Sequence, residues 1–299
     1  MSKLYNFITN KRLRFSYLTA MGLTHWMSDE RFLKKEYYLA MGKTLNLNTP
    51  KTFNEKLQWL KLYNREPQYT MMVDKYAVKQ YVANKIGSQY IIPTLGVWNH
   101  FDEIDFDELP NQFVLKCTHD SGGIVICKDK LNLDKRAAKQ KLEYYLKRKY
   151  YYVHREWPYK NVKPRIIAEK YMSNDNGEDL NDYKLMCFNG QVKATFVCSD
   201  RFSEDGLKVT FYDTNWKRMP FERHYPASKT DIARPKTYDE MLILAEKLAF
   251  KIPFVRVDFY EVHGRVYFGE LTFFPGSGYE EFTPEEWDKK LGDWINLCE

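Results

Sequence analysis

The chain has 299 residues, of which 44% are hydrophobic and 29% charged, and its formal net charge is +6. This length can bury a sizeable core, and the composition excludes both a disordered chain and one that is apolar throughout. No stretch approaches about 18 consecutive apolar residues, so the sequence predicts no transmembrane helix. So small a charge excess over so long a chain does not indicate nucleic acid as a partner.

Helix signals dominate the first 70 residues. The first 27 residues mix apolar and basic side chains, so they either lie on a membrane surface or form a helix docked on the protein itself, and we favour the docked helix. Ser28 is a candidate N-cap for a helix that ends at Gly42, and Thr52 and Glu55 have capping-box spacing. A third helix is predicted from Asp74 to a C-terminal glycine at position 87.

Strand signals take over from about residue 90. The runs YIIPTLGVW, QFVLKC and GIVIC are typical strands, and a six-residue loop with two glycines joins the last two into a predicted hairpin. A basic amphipathic helix follows, and then the strand-like run RIIAEKYM. Asn, Asp and Gly residues between Ser173 and Asp182 predict a turn.

The second half of the chain predicts more antiparallel hairpins. Asn189-Gly190 separates two strand-like runs and is a strong hairpin signal, and the strand-like run LKVTFYD follows. A helix is predicted in TYDEMLILAEKLAF, a longer hairpin turns at His263-Gly264, and TPEEWDKKLGDWIN predicts a closing helix. The predicted fold class is therefore α+β, with helices on the faces of antiparallel hairpins.

The five cysteines point to a reducing compartment. Their number is odd, no two of them form a CxxC pair, and no secretory leader is recognisable. Free thiols in a cytoplasmic protein are therefore predicted.

Two acidic residues on the last hairpin are the strongest chemical signal. Arg256 and Asp258 alternate with apolar residues on one face of a strand, and a turn at residues 263–264 brings Asp258 opposite Glu270, two residues before Thr272. Facing carboxylates repel each other, and Mg²⁺ bound between them would remove that repulsion. The alternative is an ion network of Arg256, Asp258 and Glu270 without a metal. The following sequence PGSG could present backbone N–H groups to an anion.

Lys116 interrupts an apolar strand just before the loop Thr118–Gly123. Burying an ammonium group is costly without a partner, and glycines allow a backbone to fold over phosphates. The pattern is neither a Walker loop nor a dinucleotide-binding GxGxxG, so an ordinary hairpin turn stays open. His119 in this loop is either an acid or base or, as we favour, a histidine exposed to solvent. No convincing protein nucleophile is present.

The order of these motifs resembles the ATP-grasp superfamily, in its TupA-like polysaccharide-biosynthesis branch. The motifs that carry the resemblance are KTFNEKLQWLKLYN, DKYAVKQYV, VLKCTHDSGG, IIAEKYM, DYKLMCFNG, RVDFY and ELTFFPGSG. The resemblance implies two α+β subdomains that clasp ATP, preceded by a helical N-terminal region. It divides the chain into residues 1–70, residues 71–165 with the lysines and the glycine loop, and residues 166–299 with the adenine strand and the metal-binding hairpin.

The resemblance also implies a nucleotide site. Two lysines would lie near the α- and β-phosphates, a glycine loop would cover them, and a strand between the subdomains would bind adenine. These residues are, in that order, Lys75 and Lys116; Ser121, Gly122 and Gly123; and Glu169, Lys170, Tyr171 and Met172. Asp182 is a candidate contact to the ribose or another polar group, and Lys184 a candidate contact to the γ-phosphate.

The reacting end of the site follows from the same resemblance. Asp258, Glu270 and Thr272 would bind magnesium, while Arg256 and the backbone of Gly276 would hold an acyl phosphate and a tetrahedral oxyanion. Position 272 is usually asparagine in such ligases, and a threonine hydroxyl is a weaker ligand. A second Mg²⁺ would therefore be bound loosely or partly through water.

The implied activity is an ATP- and Mg²⁺-dependent ligase that joins a carboxylate to an amine through an acyl phosphate. In the TupA-like branch the carboxylate would belong to a uronic acid of a bacterial capsular or cell-wall polysaccharide, and the amine to an amino acid or amino alcohol. A peripheral contact with the inner face of the membrane or with a lipid-linked glycan fits this role. The alternatives are an ATP-dependent kinase of a glycan hydroxyl, a glycosyltransferase and a non-catalytic scaffold.

Overall fold

The computed structural model describes residue 7 and residues 9–173, 180–199 and 206–297. The helices are numbered in chain order and connect two antiparallel sheets. They are α1 (Lys11–Ala20), α2 (Asp29–Met41), α3 (Phe53–Tyr63), α4 (Gln68–Val73), α5 (Val78–Ile86), α6 (Lys135–Leu146), α7 (Tyr151–His154), α8 (Tyr238–Leu248) and α9 (Glu286–Asp293).

The strands form a four-stranded sheet in the order β1-β4-β2-β3 and a five-stranded sheet in the order β10-β9-β5-β6-β7, and β8 and β11 form a separate pair. The strands are β1 (Thr94–Trp98), β2 (Phe113–Cys117), β3 (Ile124–Cys127), β4 (Ile166–Lys170), β5 (Asp182–Phe188), β6 (Gln191–Ser199), β7 (Lys208–Tyr212), β8 (Glu222–Arg223), β9 (Phe254–Val262), β10 (Arg265–Thr272) and β11 (Phe282–Thr283). The strand pairings within these sheets are antiparallel.

Capping residues set the ends of the early helices, as the sequence predicts. The Ser28 side chain accepts a hydrogen bond from the N–H of Arg31, and α2 ends at Gly42 in a left-handed conformation. At α3 both hydrogen bonds of the Thr52–Glu55 capping box are present. The third helix is shorter than predicted. It begins at residue 78, because the Asp74 carboxylate binds the next backbone N–H groups in a turn instead.

Two hairpin turns occur where the sequence predicts them. Asn189 and Gly190 have φ of 50° and 84°, and His263 and Gly264 have φ of 50° and 70°. Two successive residues with positive φ match the twist of the strands on either side.

The register of the last hairpin differs from the simple prediction. From the turn to Phe268, which pairs with Phe259, the strands are one residue out of the expected register. A bulge at residues 269–270 restores that register, so Gly269 and Glu270 together lie opposite Asp258. A side chain at Gly269 would begin 3.1 Å from the Asp258 carbonyl oxygen, which explains the glycine.

Three apolar clusters hold the layers together. The largest packs α3, α4, α5 and α8 against the five-stranded sheet, the second packs α6 on the four-stranded sheet, and the third joins α2 to Tyr279. Ile91 and Phe268 form an isolated parallel bridge between the segment before β1 and β10. The strand β4 hydrogen-bonds in the four-stranded sheet, although the division by sequence groups it with the region after residue 165. The three-region division itself stays a prediction.

Cys117, Cys127 and Cys187 are free thiols. Within the described ranges no helix combines the length and the apolar character needed to cross a membrane. Most of the predicted turn between Ser173 and Asp182, namely residues 174–179, lies outside the described residues.

Candidate active site between the two sheets

A cavity of about 430 Å³ separates the four-stranded sheet from the five-stranded sheet. One wall carries Lys116 and Glu169, and the other carries Arg256 and Asp258. Ten of the predicted site residues line this cavity: Lys75, Lys116, Ser121, Gly122, Glu169, Arg256, Asp258, Glu270, Thr272 and Gly276. The fold therefore gathers residues that lie up to about 200 positions apart in the sequence into one cleft.

Lys116 points at Glu169. The Lys116 Nζ lies 2.6 Å from one Glu169 carboxylate oxygen, and Lys79 Nζ lies 2.5 Å from the other. Burial acts to raise the pKa of the Glu169 carboxyl, but the two ammonium groups outweigh burial and lower that pKa. This end of the cavity thus holds one carboxylate between two cations, an arrangement that can bind an anion if the carboxylate gives up one lysine.

Lys79 was missed by sequence reasoning. It lies on α5, where its Nζ also donates to the Ile92 carbonyl oxygen at 2.6 Å. Burial lowers the pKa of Lys79, while Glu169 acts to raise it. The sequence signal that could have identified Lys79 is its position four residues after Lys75, because that spacing places two side chains on one side of the predicted helix.

The loop between β2 and β3 is more buried than predicted. Thr118, His119 and Asp120 are each at most 3% exposed, whereas Ser121 and Gly122 are exposed at the cavity. His119 is therefore not the predicted solvent-facing histidine: its Nε2 lies 3.1 Å from the Arg148 carbonyl oxygen, and burial lowers its pKa.

Both glycines of this loop are required by its geometry. Gly122 has φ of 116°, and a side chain at Gly123 would begin 2.8 Å from the Cys117 sulfur. The Lys75 ammonium group donates to the Asp120 carbonyl oxygen and so ties the segment before α5 to the loop. Gly123 itself does not line the cavity.

The opposite wall holds a dense ion cluster. The Arg256 guanidinium donates from Nε to Asp258 Oδ1 at 2.6 Å and from Nη2 to Asp258 Oδ2 at 2.7 Å. Lys184 lies 2.5 Å from both Asp258 and Asp182. Burial acts to raise the pKa of Asp258, but Arg256 and Lys184 outweigh it and hold that pKa below its usual value. Asp258 is therefore a carboxylate, and its charge is already balanced.

The three predicted metal ligands converge on one point. Arg256 Nη2 lies 2.7 Å from Asp258 Oδ2, 3.0 Å from Glu270 Oε1 and 2.9 Å from Thr272 Oγ1. Oxygen-only ligands suit Mg²⁺, which commonly takes one or two carboxylates and completes its shell with phosphate and water. The donor set therefore fits Mg²⁺, provided that the guanidinium moves aside. Among the described residues no group of three or more His, Cys, Asp or Glu side chains forms a metal site by itself.

The ion network that the sequence left as an alternative is present in this structure. Glu270 is its most accessible member, with a side chain 47% exposed, while that of Asp258 is 1% exposed. The expected repulsion between the two carboxylates is offset because Arg256 bridges them. The side chains that are predicted to bind a metal are thus engaged with Arg256 in this structure.

Gly276 lies in a strained turn beside the ion cluster. Gly276, Ser277 and Gly278 have φ of 56°, 54° and 67°, and Ser277 is a rare non-glycine residue in this conformation. Strain of this kind persists only where the surroundings hold the backbone in place.

Buried polar side chains hold the turn. Lys61 Nζ donates to the Ser277 carbonyl oxygen at 2.8 Å, Gln58 Nε2 donates to the same oxygen at 3.0 Å, and the Ser277 hydroxyl donates to Glu156. Burial lowers the pKa of Lys61 to about 8, although Glu156 and Glu36 act to raise it. Glu156 also lines the cavity, with Tyr150 and Tyr159, and no sequence motif identified these residues.

Other predicted residues lie outside the cavity lining: Gly123, Lys170, Tyr171, Met172, Asp182 and Lys184. Lys184 and Asp182 stand behind Asp258 as its ion-pair partners. The strand β4 is paired on both sides, with β1 and with β2, so its backbone is occupied as far as Lys170. Of the predicted adenine-binding segment, Tyr171 and Met172 lie beyond the paired part of this strand.

The two-sheet fold with its enclosed cleft is that of an ATP-grasp protein. A family model described as TupA-like ATPgrasp matches residues 55–296. Because this match covers most of the chain, the chain belongs to the TupA-like ATP-grasp family. The fold class and the family predicted from the sequence are thereby confirmed. No protein with a curated description matches the chain.

Several solved structures are similar. The D-alanine–D-alanine ligase from Bacillus anthracis complexed with ATP is 16% identical with a TM-score of 0.45, over 75% of this chain and 65% of that one. An ADP complex of purK, N5-carboxyaminoimidazole ribonucleotide synthetase, is 15% identical with a TM-score of 0.45, over 82% and 57%. The ATP-grasp ligase PsnB complexed with minimal precursor, Mg and ADP is 10% identical with a TM-score of 0.42, over 80% and 64%. The chain thus spans less than two thirds of the length of each.

Proposed function

We propose that this protein is an ATP- and Mg²⁺-dependent ligase that joins a carboxylate to an amine through an acyl phosphate. The observation that carries the proposal is the single cleft in which lysines from one sheet face the cluster of Arg256, Asp258 and Glu270 on the other. Membership of the ATP-grasp family supports it, because enzymes of that superfamily are ATP-dependent ligases.

The nucleotide would occupy the end of the cleft that holds the lysines. Lys75 and Lys116 would bind the α- and β-phosphates, and in doing so Lys116 would exchange Glu169 for phosphate oxygens. Lys79 keeps Glu169 paired during this exchange because it holds the other carboxylate oxygen. The loop residues Ser121, Gly122 and Gly123 would cover the phosphates, and the segment Glu169 to Met172 would bind adenine.

The metal and the reacting groups would occupy the other end. Asp258, Glu270 and Thr272 would hold Mg²⁺, which neutralises phosphate charge when it is bound. Displaced from these oxygens, Arg256 would be free to hold the acyl phosphate with the backbone of Gly276. Lys184, behind Asp258, would move to the γ-phosphate, and Asp182 would contact the ribose or another polar group.

The proposed reaction has two steps. A carboxylate oxygen of the acceptor attacks the γ-phosphorus of ATP, the bond to the β-phosphate oxygen breaks, and ADP leaves. The amine then attacks the acyl carbon, the bond to the phosphate oxygen breaks, and phosphate leaves as the amine gives up a proton. Positioning and charge neutralisation supply most of the rate in such phosphoryl transfers, and this cleft offers both.

We further propose that the carboxylate belongs to a uronic acid of a bacterial capsular or cell-wall polysaccharide, and the amine to an amino acid or amino alcohol. The resemblance of the sequence to the TupA-like branch suggests this acceptor class, and the family match over residues 55–296 supports that resemblance.

Product analysis tests the reaction. The protein is incubated with ATP, Mg²⁺, glucuronate or galacturonate and a pool of amino acids, and ADP, phosphate and hydroxylamine-trapped hydroxamate are measured. We expect ADP and phosphate in equal amounts, together with hydroxamate. Release of AMP and pyrophosphate contradicts the acyl-phosphate route, and phosphate that stays on the sugar and resists hydroxylamine indicates a kinase.

Glu270→Gln separates the loss of a proposed metal ligand from any effect on folding. Because this side chain is half exposed, the substitution should leave unfolding nearly unchanged while turnover falls by at least about 100-fold, a loss typical of removing one electrostatic group at a reacting centre. Glu281→Gln, at an exposed glutamate that does not line the cleft, is the matched control. Full turnover of Glu270→Gln contradicts the proposed metal site.

A further inference from the structure

The first part of the chain exposes an unusual concentration of apolar side chains. Six of the eighteen large apolar residues that the described chain exposes lie within its first 26 positions. They are Phe7, Tyr17, Leu18, Met21, Leu23 and Trp26, and the last is 74% exposed. An exposed apolar surface of this kind usually marks an interaction site.

The helix α1 is nevertheless docked on the protein. The rings of Phe15 and Phe32 lie 5.1 Å apart, and Thr19 is buried. The docked helix that we favoured from the sequence is therefore present, and its outer side stays apolar. Tyr17 and Met21 lie on this outer side, 53% and 63% exposed.

The same surface is basic. Residues 1–28 contain no Asp or Glu, and neither do residues 144–155. A groove of about 670 Å³ brings the two segments together, because Tyr17 and Met21 line it together with Lys147, Arg148 and Lys149. The stacked rings of His25 and Tyr152, 3.7 Å apart, also join the two segments.

Within the groove, acidic side chains do not cancel this charge. Glu36 is the acidic residue among the described residues lining the groove, and its carboxylate is already bound by His154 and Tyr279. Lys11, Arg12, Lys147 and Lys149 are exposed. Apolar and aromatic tips flanked by exposed lysine and arginine are the features with which peripheral proteins bind anionic bilayers.

We propose that this face docks on an anionic lipid bilayer. Met21, Leu23 and Trp26 would enter the interface, while Lys11, Arg12, Lys147 and Lys149 contact the phosphate headgroups. The inference is independent of the proposed reaction, since none of these residues lines the active-site cleft.

Vesicle flotation tests the proposal with the full chain. We expect the protein to float with phosphatidylcholine vesicles that contain about 30% phosphatidylglycerol, and at least about tenfold less with phosphatidylcholine alone. Raising the salt concentration to about 1 M should reduce binding, because the electrostatic part is screened at short range. Equal binding to both kinds of vesicle, or binding to neither, overturns the proposal.

Two sets of variants locate the surface. Met21→Ser with Leu23→Ser and Trp26→Ser should lower the affinity for anionic vesicles by at least about tenfold. The matched control is Leu131→Ser with Ile243→Ser and Phe250→Ser, which removes three exposed apolar side chains elsewhere. Thermal unfolding of both triple variants confirms that they are folded.

The remaining outcomes concern other occupants of this face. If the control variant loses vesicle binding as strongly as the first variant, the docking surface is wrong. If the wild-type chain dimerises without vesicles and the first variant is monomeric, the face binds a second copy, and the bilayer proposal is overturned.

Discussion

Lys61 is a buried cation that binds the strained turn at residues 276–278. Its side chain is fully buried, and it donates to the Ser277 carbonyl oxygen and to Gln58. A buried ammonium is tolerated when its hydrogen bonds are satisfied, but its burial still lowers the pKa to about 8 from an ordinary value of 10.5. The turn at Gly276 is therefore held by an ammonium group that loses its proton as the pH rises above about 8.

This burial makes a prediction for stability. Between about pH 8 and pH 10.5 the unfolded chain binds the Lys61 proton and the folded chain does not. The free energy of unfolding therefore increases as the pH rises through that window. Relative to Lys61→Met, the free energy of unfolding of the wild type should rise by about 3 kcal/mol across this pH window. Denaturant unfolding of both proteins at several pH values measures the difference.

Lys289→Met, at an exposed lysine on α9, is the control for the loss of a lysine. The difference between wild type and Lys61→Met below about pH 7.5 should stay constant, since both states then hold the proton. A difference that is constant over the whole alkaline range contradicts the buried cation.

At the scale of elements, the N-terminal end of α3 lies along α9. The Asn54 N–H donates to Asp288 at 2.9 Å, and Lys56 Nζ donates to the carbonyl oxygens of Gly292 and Ile295 at 2.9 and 2.8 Å. A lysine at the C-terminus of a helix satisfies carbonyl groups that have no partner within the helix. These contacts fix the last helix on the layer that supports the five-stranded sheet.

Gly292→Ala tests this packing. Alanine is preferred over glycine in a helix by about 1 kcal/mol, but here its side chain would begin 2.3 Å from the Lys51 carbonyl oxygen. Backbone atoms cannot move aside as a side-chain end can, so we expect destabilisation by about 1–3 kcal/mol. Lys289→Ala, on the exposed side of the same helix, should change stability little. If Gly292→Ala equals or exceeds the wild type in stability, the close approach is not real.

Elements whose signals are local could be predicted, and those that depend on a neighbour could not. Asn189-Gly190 and the Thr52–Glu55 capping box each act within a few residues, so the sequence alone predicts them. The bulge at residues 269–270 leaves alternation intact on either side of it, so the one-residue shift between the turn and Phe268 could not be predicted, although Glu270 lies opposite Asp258 as expected. Helix α4 has only six residues and no side-chain cap, and it was missed.

The same distinction applies to the site. A lysine within an apolar strand predicts that Lys116 lies beside a charge, but not that the charge is Glu169 shared with Lys79, because this contact joins α5, β2 and β4. Glu156 has no motif at all, and its position depends on the turn that holds Ser277. Functional residues without a local pattern emerge only from the tertiary structure.

At the scale of the whole molecule, the proposed nucleotide site joins two sheets that have separate cores. A ligand that contacts both should therefore stabilise the whole chain. ATP with Mg²⁺ at about 100 times its dissociation constant should add about 2.7 kcal/mol to the free energy of unfolding. Lys116→Ala should weaken ATP binding by at least about tenfold, because a charged contact to phosphate is lost.

Calorimetric titration and thermal unfolding with and without ATP measure both effects. Lys139→Ala, at a half-exposed lysine on α6 that pairs with Asp102, is the matched control and should keep the full gain. An unchanged ATP affinity in Lys116→Ala contradicts the phosphate contact, whatever the reaction proves to be.

The isolated bridge between Ile91 and Phe268 is a direct backbone contact between the two walls of the cleft. Both residues line the cavity, so the two walls are pinned to each other at this place. A wall that turns about a fixed pivot moves in proportion to its distance from that pivot. Lys79 and Ile92, which neighbour the bridge, would hardly move, whereas residues at the far rim would travel furthest. In the proposed reaction, contacts made at this pivot would therefore stay constant while the rim admits substrates and releases products.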